Sequence, residues 1–168
     1  WWEKEWGTSD NWSGIRTGQS KRKPAVRALL IYPTNALVED QITRLRWAAK
    51  RAVKEGNRPG FYFGRYTGGT LGGTEYPAGK LTTLQKNKVN EVSRELRAIE
   101  KELHNIKELD DDVKVQFPDV NCGEMLTRWD MIQAPPDILI TNLSMLNTML
   151  LREIEEPIID QTKEWLQE

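Results

Sequence analysis

Apolar positions change their spacing several times along the chain, and each change marks an element. Residues 26–32, VRALLIY, are a continuous apolar run too short for a core helix, which predicts a strand buried on both faces, as in parallel sheets. Pro33 closes it. Thr34 or Asn35 then suits a helix cap, and 36–54 follow a helical spacing through Leu37, Ile42 with Leu45, and Ala49. EGNRPG at 55–60 ends that helix, FYFGRY at 61–66 predicts a second strand, and TGGTLGGTEYPAG at 67–79 a glycine-rich loop.

From 84 to 109 the period is different. Val89, Val92, Leu96, Ile99, Leu103 and Ile106 are spaced alternately by three and four, the seam of a coiled coil, with Lys, Glu and Arg on the other faces. His104 falls beside the seam and reads as a surface residue. Asp110, Asp111 and Asp112 read as a solvated turn or as a weak hold for a divalent cation. A loop with Cys122 and TRWDM (127–131) leads through Pro135 and Pro136 to a third strand, DILIT, at 137–141. Asn142 and Ser144 are placed to cap a helix over 144–153, whose Met145, Leu146, Met149 and Leu150 have core spacing. Pro157 is expected to break it before a last short helix at 160–167. Residues 1–23 show no sustained period and read as an arm or loop, with tryptophans at 1, 2, 6 and 12 and the run KRK at 21–23.

Composition narrows the class. At 168 residues, with 38% apolar and 29% charged positions, the chain has the size of one domain with a core, and no apolar run reaches the roughly 18 residues of a membrane span. Cys122 is the sole cysteine, so no internal disulfide forms and a reducing, cytoplasmic setting is expected. The net charge of −1 hides an asymmetry: residues 1–70 carry 13 Lys/Arg against 6 Asp/Glu, and the remainder 11 against 19. The amino-terminal part is therefore suited to polyanions, or is simply a solvated surface. A start at Trp1 without a signal peptide leads to the expectation of a piece of a longer chain.

A strand, a sharp turn and a helix occur in succession at Tyr32–Ala36 and again at Thr141–Met145, with small hydroxyl and amide side chains at each junction. A helix start exposes unpaired N–H groups and partial positive charge, so such junctions serve as phosphate edges or merely as caps. The third junction, Thr67-Gly68-Gly69, lets backbone approach a ligand closely. In a parallel sheet all three lie at carboxyl ends of strands, where open α/β folds bind ligands.

YPTNALVEDQ (32–41), YTGGT (66–70) and DILITNLSML (137–146) together resemble three successive motifs of superfamily-two DEAD/DEAH-box helicases, and the wording PPDILITNLSMLNTMLLREIE (135–155) is most similar to large bacterial helicases of phage-defence and DNA-repair type. The resemblance runs from Ala25 to about Trp165. It implies an α/β fold: a partial RecA-like (P-loop NTPase-type) parallel sheet with flanking helices over 24–168, and an inserted long coiled-coil-like helix at about 80–112. It further implies that Pro33, Thr34, Asn35, Arg65, Thr67, Gly68, Gly69, Thr141, Asn142 and Ser144 grip the sugar–phosphate backbone of nucleic acid, DNA in preference to RNA. Arg44, Arg46, Arg65 and the KRK run are the charged candidates.

Departures from the pattern limit the activity expected. The glycine stretch lacks the lysine of GxxxxGK[ST], no D-E-x-H/D tetrad follows, and Asn35 stands where many relatives carry arginine. No cofactor is expected in this chain, which should be inactive alone; ATP and Mg are expected for the parent helicase, whose remaining parts are its natural partner. The reading from another class is a protein-interaction module that pairs the 84–109 helix with a partner protein.

Overall fold

The computed structural model describes residues 22–168 except 57, 74–76, 78 and 79. Of the arm expected at 1–23, residues 1–21, with the tryptophans and Lys21, lie outside the described residues. Four strands, β1 (Ala28–Tyr32), β2 (Phe63–Tyr66), β3 (Glu124–Met125) and β4 (Ile138–Asn142), form one parallel sheet in the order β1-β4-β2-β3. The helices are α1 (Asn35–Gly56), α2 (Thr83–Asn105), α3 (Asp111–Lys114), α4 (Arg128–Gln133), α5 (Leu143–Leu151) and α6 (Glu156–Leu166). A parallel sheet with helices on its faces is the architecture expected of a partial RecA-like domain.

The crossovers explain the layering. The path from β1 through α1 to β2 passes over β4, and the path from β3 through α4 to β4 passes back over β2. Crossovers of one hand running in opposite directions put their helices on opposite faces. On one face Val38, Ile42 and Ala49 of α1 pack with Phe63 and Ile140 against Leu30 and Ile138. On the other, Tyr66 and Leu139 pack with Met131 and Ile132 of α4, Met149 of α5 and Ile158 of α6. Burial of side chains such as Ile42 or Met149 contributes about 1.5–3 kcal/mol each.

Several expectations need correction. β1 is not buried on both faces: it is an edge strand, and Leu29 and Ile31 are nearly half exposed while Leu30 and Tyr32 pack on α1. On α1 the buried stripe is Val38, Ile42, Arg46 and Ala49, and Leu37 is exposed. Leu150 is exposed too, leaving Met149 as the buried residue of α5. Pro157 lies in the first turn of α6, where proline's fixed φ suits a helix start, so it opens the last helix instead of ending the previous one.

The long helix also differs. It begins with a capping box in which the Thr82 hydroxyl accepts from the Gln85 N–H at 3.3 Å and the Gln85 side chain accepts from the Thr82 N–H at 2.9 Å. The first half of its seam, Val89, Val92 and Leu96, is buried against Trp129, with Leu71, Leu81 and Leu126 around it. The heptad spacing thus seats the helix on the chain's own core, and Ile99, Leu103 and Ile106 are half-buried. Trp129 comes from TRWDM, which is not a loop but the start of α4, capped by the Thr127 hydroxyl accepting from the Asp130 N–H at 3.0 Å.

β3 is held by a turn only glycine fills. Gly123 has φ of 90°, and a Cβ there would come within 2.6 Å of the Phe61 carbonyl oxygen. The Gly123 carbonyl accepts from the Phe63 N–H at 3.1 Å, which sets β3 in register with β2. A buried ion pair then ties this edge to α1. Arg46 donates to both Glu124 carboxylate oxygens, at 2.8 and 2.7 Å, and to the carbonyls of Val115 and Gln116.

Candidate nucleic-acid interface

Register decides what the three junctions can do together. Tyr32 lies opposite Asn142, and Tyr66 opposite Thr141, so the carboxyl ends of β1, β4 and β2 finish side by side. At about 4.8 Å between strands, three ends span an edge roughly 10 Å wide. Pro33, Thr34 and Asn35 leave from the first, Asn142 and Ser144 from the second, and Thr67, Gly68 and Gly69 from the third. Two junctions are joined directly, since the Asn142 amide donates to the Asn35 side-chain oxygen at 2.8 Å. The Asn142 oxygen meanwhile accepts from the Met145 N–H at 2.7 Å, capping α5 as the sequence predicts.

Exposure divides the candidates into two groups. Pro33, Thr34, Asn35, Gly68, Gly69 and Ser144 are exposed, and Asn142 is partly so. Thr141 is fully buried, with its hydroxyl donating to the Tyr66 carbonyl at 2.6 Å. Thr67 is buried as well, and its N–H donates to the Thr70 hydroxyl at 2.9 Å, which itself donates to the Arg65 carbonyl at 2.8 Å. These two threonines shape the edge from beneath, and their exposed neighbours form its surface.

The charged candidates mostly fall elsewhere. Arg46 is buried in the Glu124 pair, so it cannot meet a ligand. Of the KRK run, Arg22 donates to the Asp137 carboxylate and Lys23 to Glu168. Asp137 precedes β4, so these cations belong to the amino ends of the strands, away from the three junctions. Arg65 stays near the edge but is paired with Glu39, and Arg44 with Asp40. The surface is therefore more dipolar than basic. Beside Gly68 and Gly69 a shallow groove leads to α2, but Glu91 and Glu95 line it and Lys88 is already paired with Glu91, so phosphate is disfavoured on that side.

Under the glycine turn lie groups that periodicity did not reveal. Arg128, at the first position of α4, is 7% exposed and donates to the Thr67 carbonyl at 2.8 Å. The pattern T-x-x-D over 127–130 is a helix-start signal that would have found it. The Tyr66 hydroxyl donates to the fully buried Glu155 at 2.8 Å, and burial together with that bond holds its pKa far above the usual phenol range. Burial likewise pushes the Cys122 thiol up, which makes it an unreactive core residue.

The residues described do not fit the ATP and magnesium of the helicase resemblance. The Thr70 hydroxyl is spent inside the glycine loop, and Lys80, which follows Gly79 before α2, is succeeded by Leu81 where a phosphate loop needs Ser or Thr, with Thr74 where its first glycine would stand. Among the described residues no three carboxylate, His or Cys groups converge as a metal site. Asp111 instead pairs with Lys54 at 2.6 Å, which holds its carboxyl below the usual range. Among the same residues no helix is long and apolar enough to cross a membrane.

No family model matches the chain. No solved structure does either. It is 32% identical over 191 aligned residues to Druantia protein DruE of Escherichia coli (strain UMEA 4076-1), a match covering 88% of this chain and 10% of that protein. The chain spans about a tenth of the length of the curated relative it matches.

Proposed function

We propose that this chain is a nucleic-acid-gripping segment of a larger ATP-dependent helicase or translocase acting on DNA in bacterial phage defence. The observation that carries the reading is the shared edge of β1, β4 and β2, where Thr34–Asn35, Asn142–Ser144 and Thr67–Gly69 stand together. Such an edge offers backbone N–H groups, two helix starts and short hydroxyl or amide side chains, the donors that hold phosphate oxygens without reading base identity. The similarity to Druantia protein DruE supports a defence role. ATP hydrolysis would reside in other parts of the longer protein, and this edge would hold the strand while they move. The alternative of a coiled-coil partner helix is weakened, because Val89, Val92 and Leu96 already pack on Trp129.

Anisotropy of a labelled oligo-dT strand tests the reading. The chain is expected to bind it with a log-affinity against log-salt slope no steeper than about −2, since few formal charges line the edge and each phosphate neutralised on a single strand contributes about −0.7. Thr34→Ala with Ser144→Ala is expected to weaken binding about tenfold, from two lost hydrogen bonds of roughly 0.5–1.5 kcal/mol each. Absence of binding, or salt-insensitive binding that the double variant leaves unchanged, would overturn it.

A further inference from the structure

We infer that Arg128 is the buried cation of this edge, holding the Thr67–Gly69 turn in shape and supplying positive charge to the phosphodiester received there; this rests on the nucleic-acid reading above. Its Nη2 donates to the Thr67 carbonyl at 2.8 Å and reaches the Gly68 carbonyl at 3.5 Å, directly beneath the exposed glycines. Its guanidinium carbon lies 5.3 Å from the centre of the Tyr66 ring.

The contrast with the other buried arginine carries the argument. Arg46 is saturated, with a carboxylate on two nitrogens and carbonyls on the third. Arg128 is as deeply buried, yet among the described residues no carboxylate pairs with it and its Nε has no hydrogen-bond partner. A buried charge is costly unless something balances it. Two carbonyl dipoles and an aromatic face balance this one in part, and an anion on Gly68 and Gly69 would complete the balance. Burial leaves little water between the guanidinium and that turn, so its attraction for an anion there is stronger than that of an exposed lysine at the same distance. An edge whose nearby arginines are paired or buried among the described residues would thus still attract a strand.

The test compares Arg128→Lys and Arg128→Met with the wild-type chain, measuring oligo-dT binding from low to high salt and thermal melting of the same preparations. Arg128→Met is expected to bind about tenfold more weakly or worse and to flatten the salt slope by about 0.7, one phosphate on a single strand, whereas Arg128→Lys keeps the slope. A structural clamp alone would lower the melting temperature and the affinity with the slope unchanged, and that result overturns the inference. Should Arg128→Met fail to fold, the arginine Nε–H signals of the wild-type chain decide by NMR. The Arg128 Nε–H is expected to shift as oligo-dT is added, and an unmoved signal in a chain that binds overturns the proposal. A wild-type chain that binds no strand fails the underlying reading as well.

Discussion

Replacing Arg46 by alanine is expected to lower the unfolding free energy by about 3–5 kcal/mol, because it leaves Glu124 as an unpaired charge in the interior. The pair sits where α1, β3 and the loop at 115–119 meet, and Glu124 also accepts from the Asp119 N–H at 2.9 Å. Loss of the guanidinium therefore disturbs three segments together. Replacing both partners, with Arg46→Met and Glu124→Leu, is expected to recover much of the loss, since well-packed apolar groups often match a buried ion pair. Urea denaturation of the two variants checks this. A loss below about 1 kcal/mol for Arg46→Ala would give the pair only the strength of a surface salt bridge.

Trp129→Ala is expected to cost about 3–5 kcal/mol, the range for removing a large buried aromatic side chain. Trp129 is 1% exposed and fills the space between α2 and α4, with its ring 3.4 Å from where a Cβ would sit on Gly72. The loss should fall first on α2, so its amides are expected to exchange faster than those of β2 and β4 in the variant. Measured by hydrogen exchange, this separates a helix docked on its own core from one waiting for a partner. A partner-dependent helix would exchange rapidly in the wild type already, and the substitution would change little there.

How far the sequence could be read depends on the range of the interaction. Short-range signals placed β1, β2, β4 and the helices after Pro33 and Asn142, because apolar runs and cap residues act within a few positions. The resemblance of three motifs in order placed their junctions together, and the parallel register joins them. A continuous apolar run, however, cannot tell an edge strand from a central one, so the exposure of Leu29 and Ile31 was not legible. A three-four seam cannot tell whether its partner is another chain or the same chain's Trp129. Arg46 occupies a core position of α1 with a charged side chain, and its partner is 78 residues away. Arg128 was missed for a different reason: six residues of mixed polarity give too little period to mark a helix, and only the cap at Thr127 signals one.

The most direct measurement of the central claim is amide hydrogen exchange of the chain with and without bound oligo-dT, resolved to single residues. Protection is expected at 34–36, 67–69 and 143–145, the three junctions that the register of β1, β4 and β2 brings to one edge. Protection confined to the outer half of α2 or to Arg22 and Lys23 at the opposite end of the sheet, with those junctions unchanged, would contradict it.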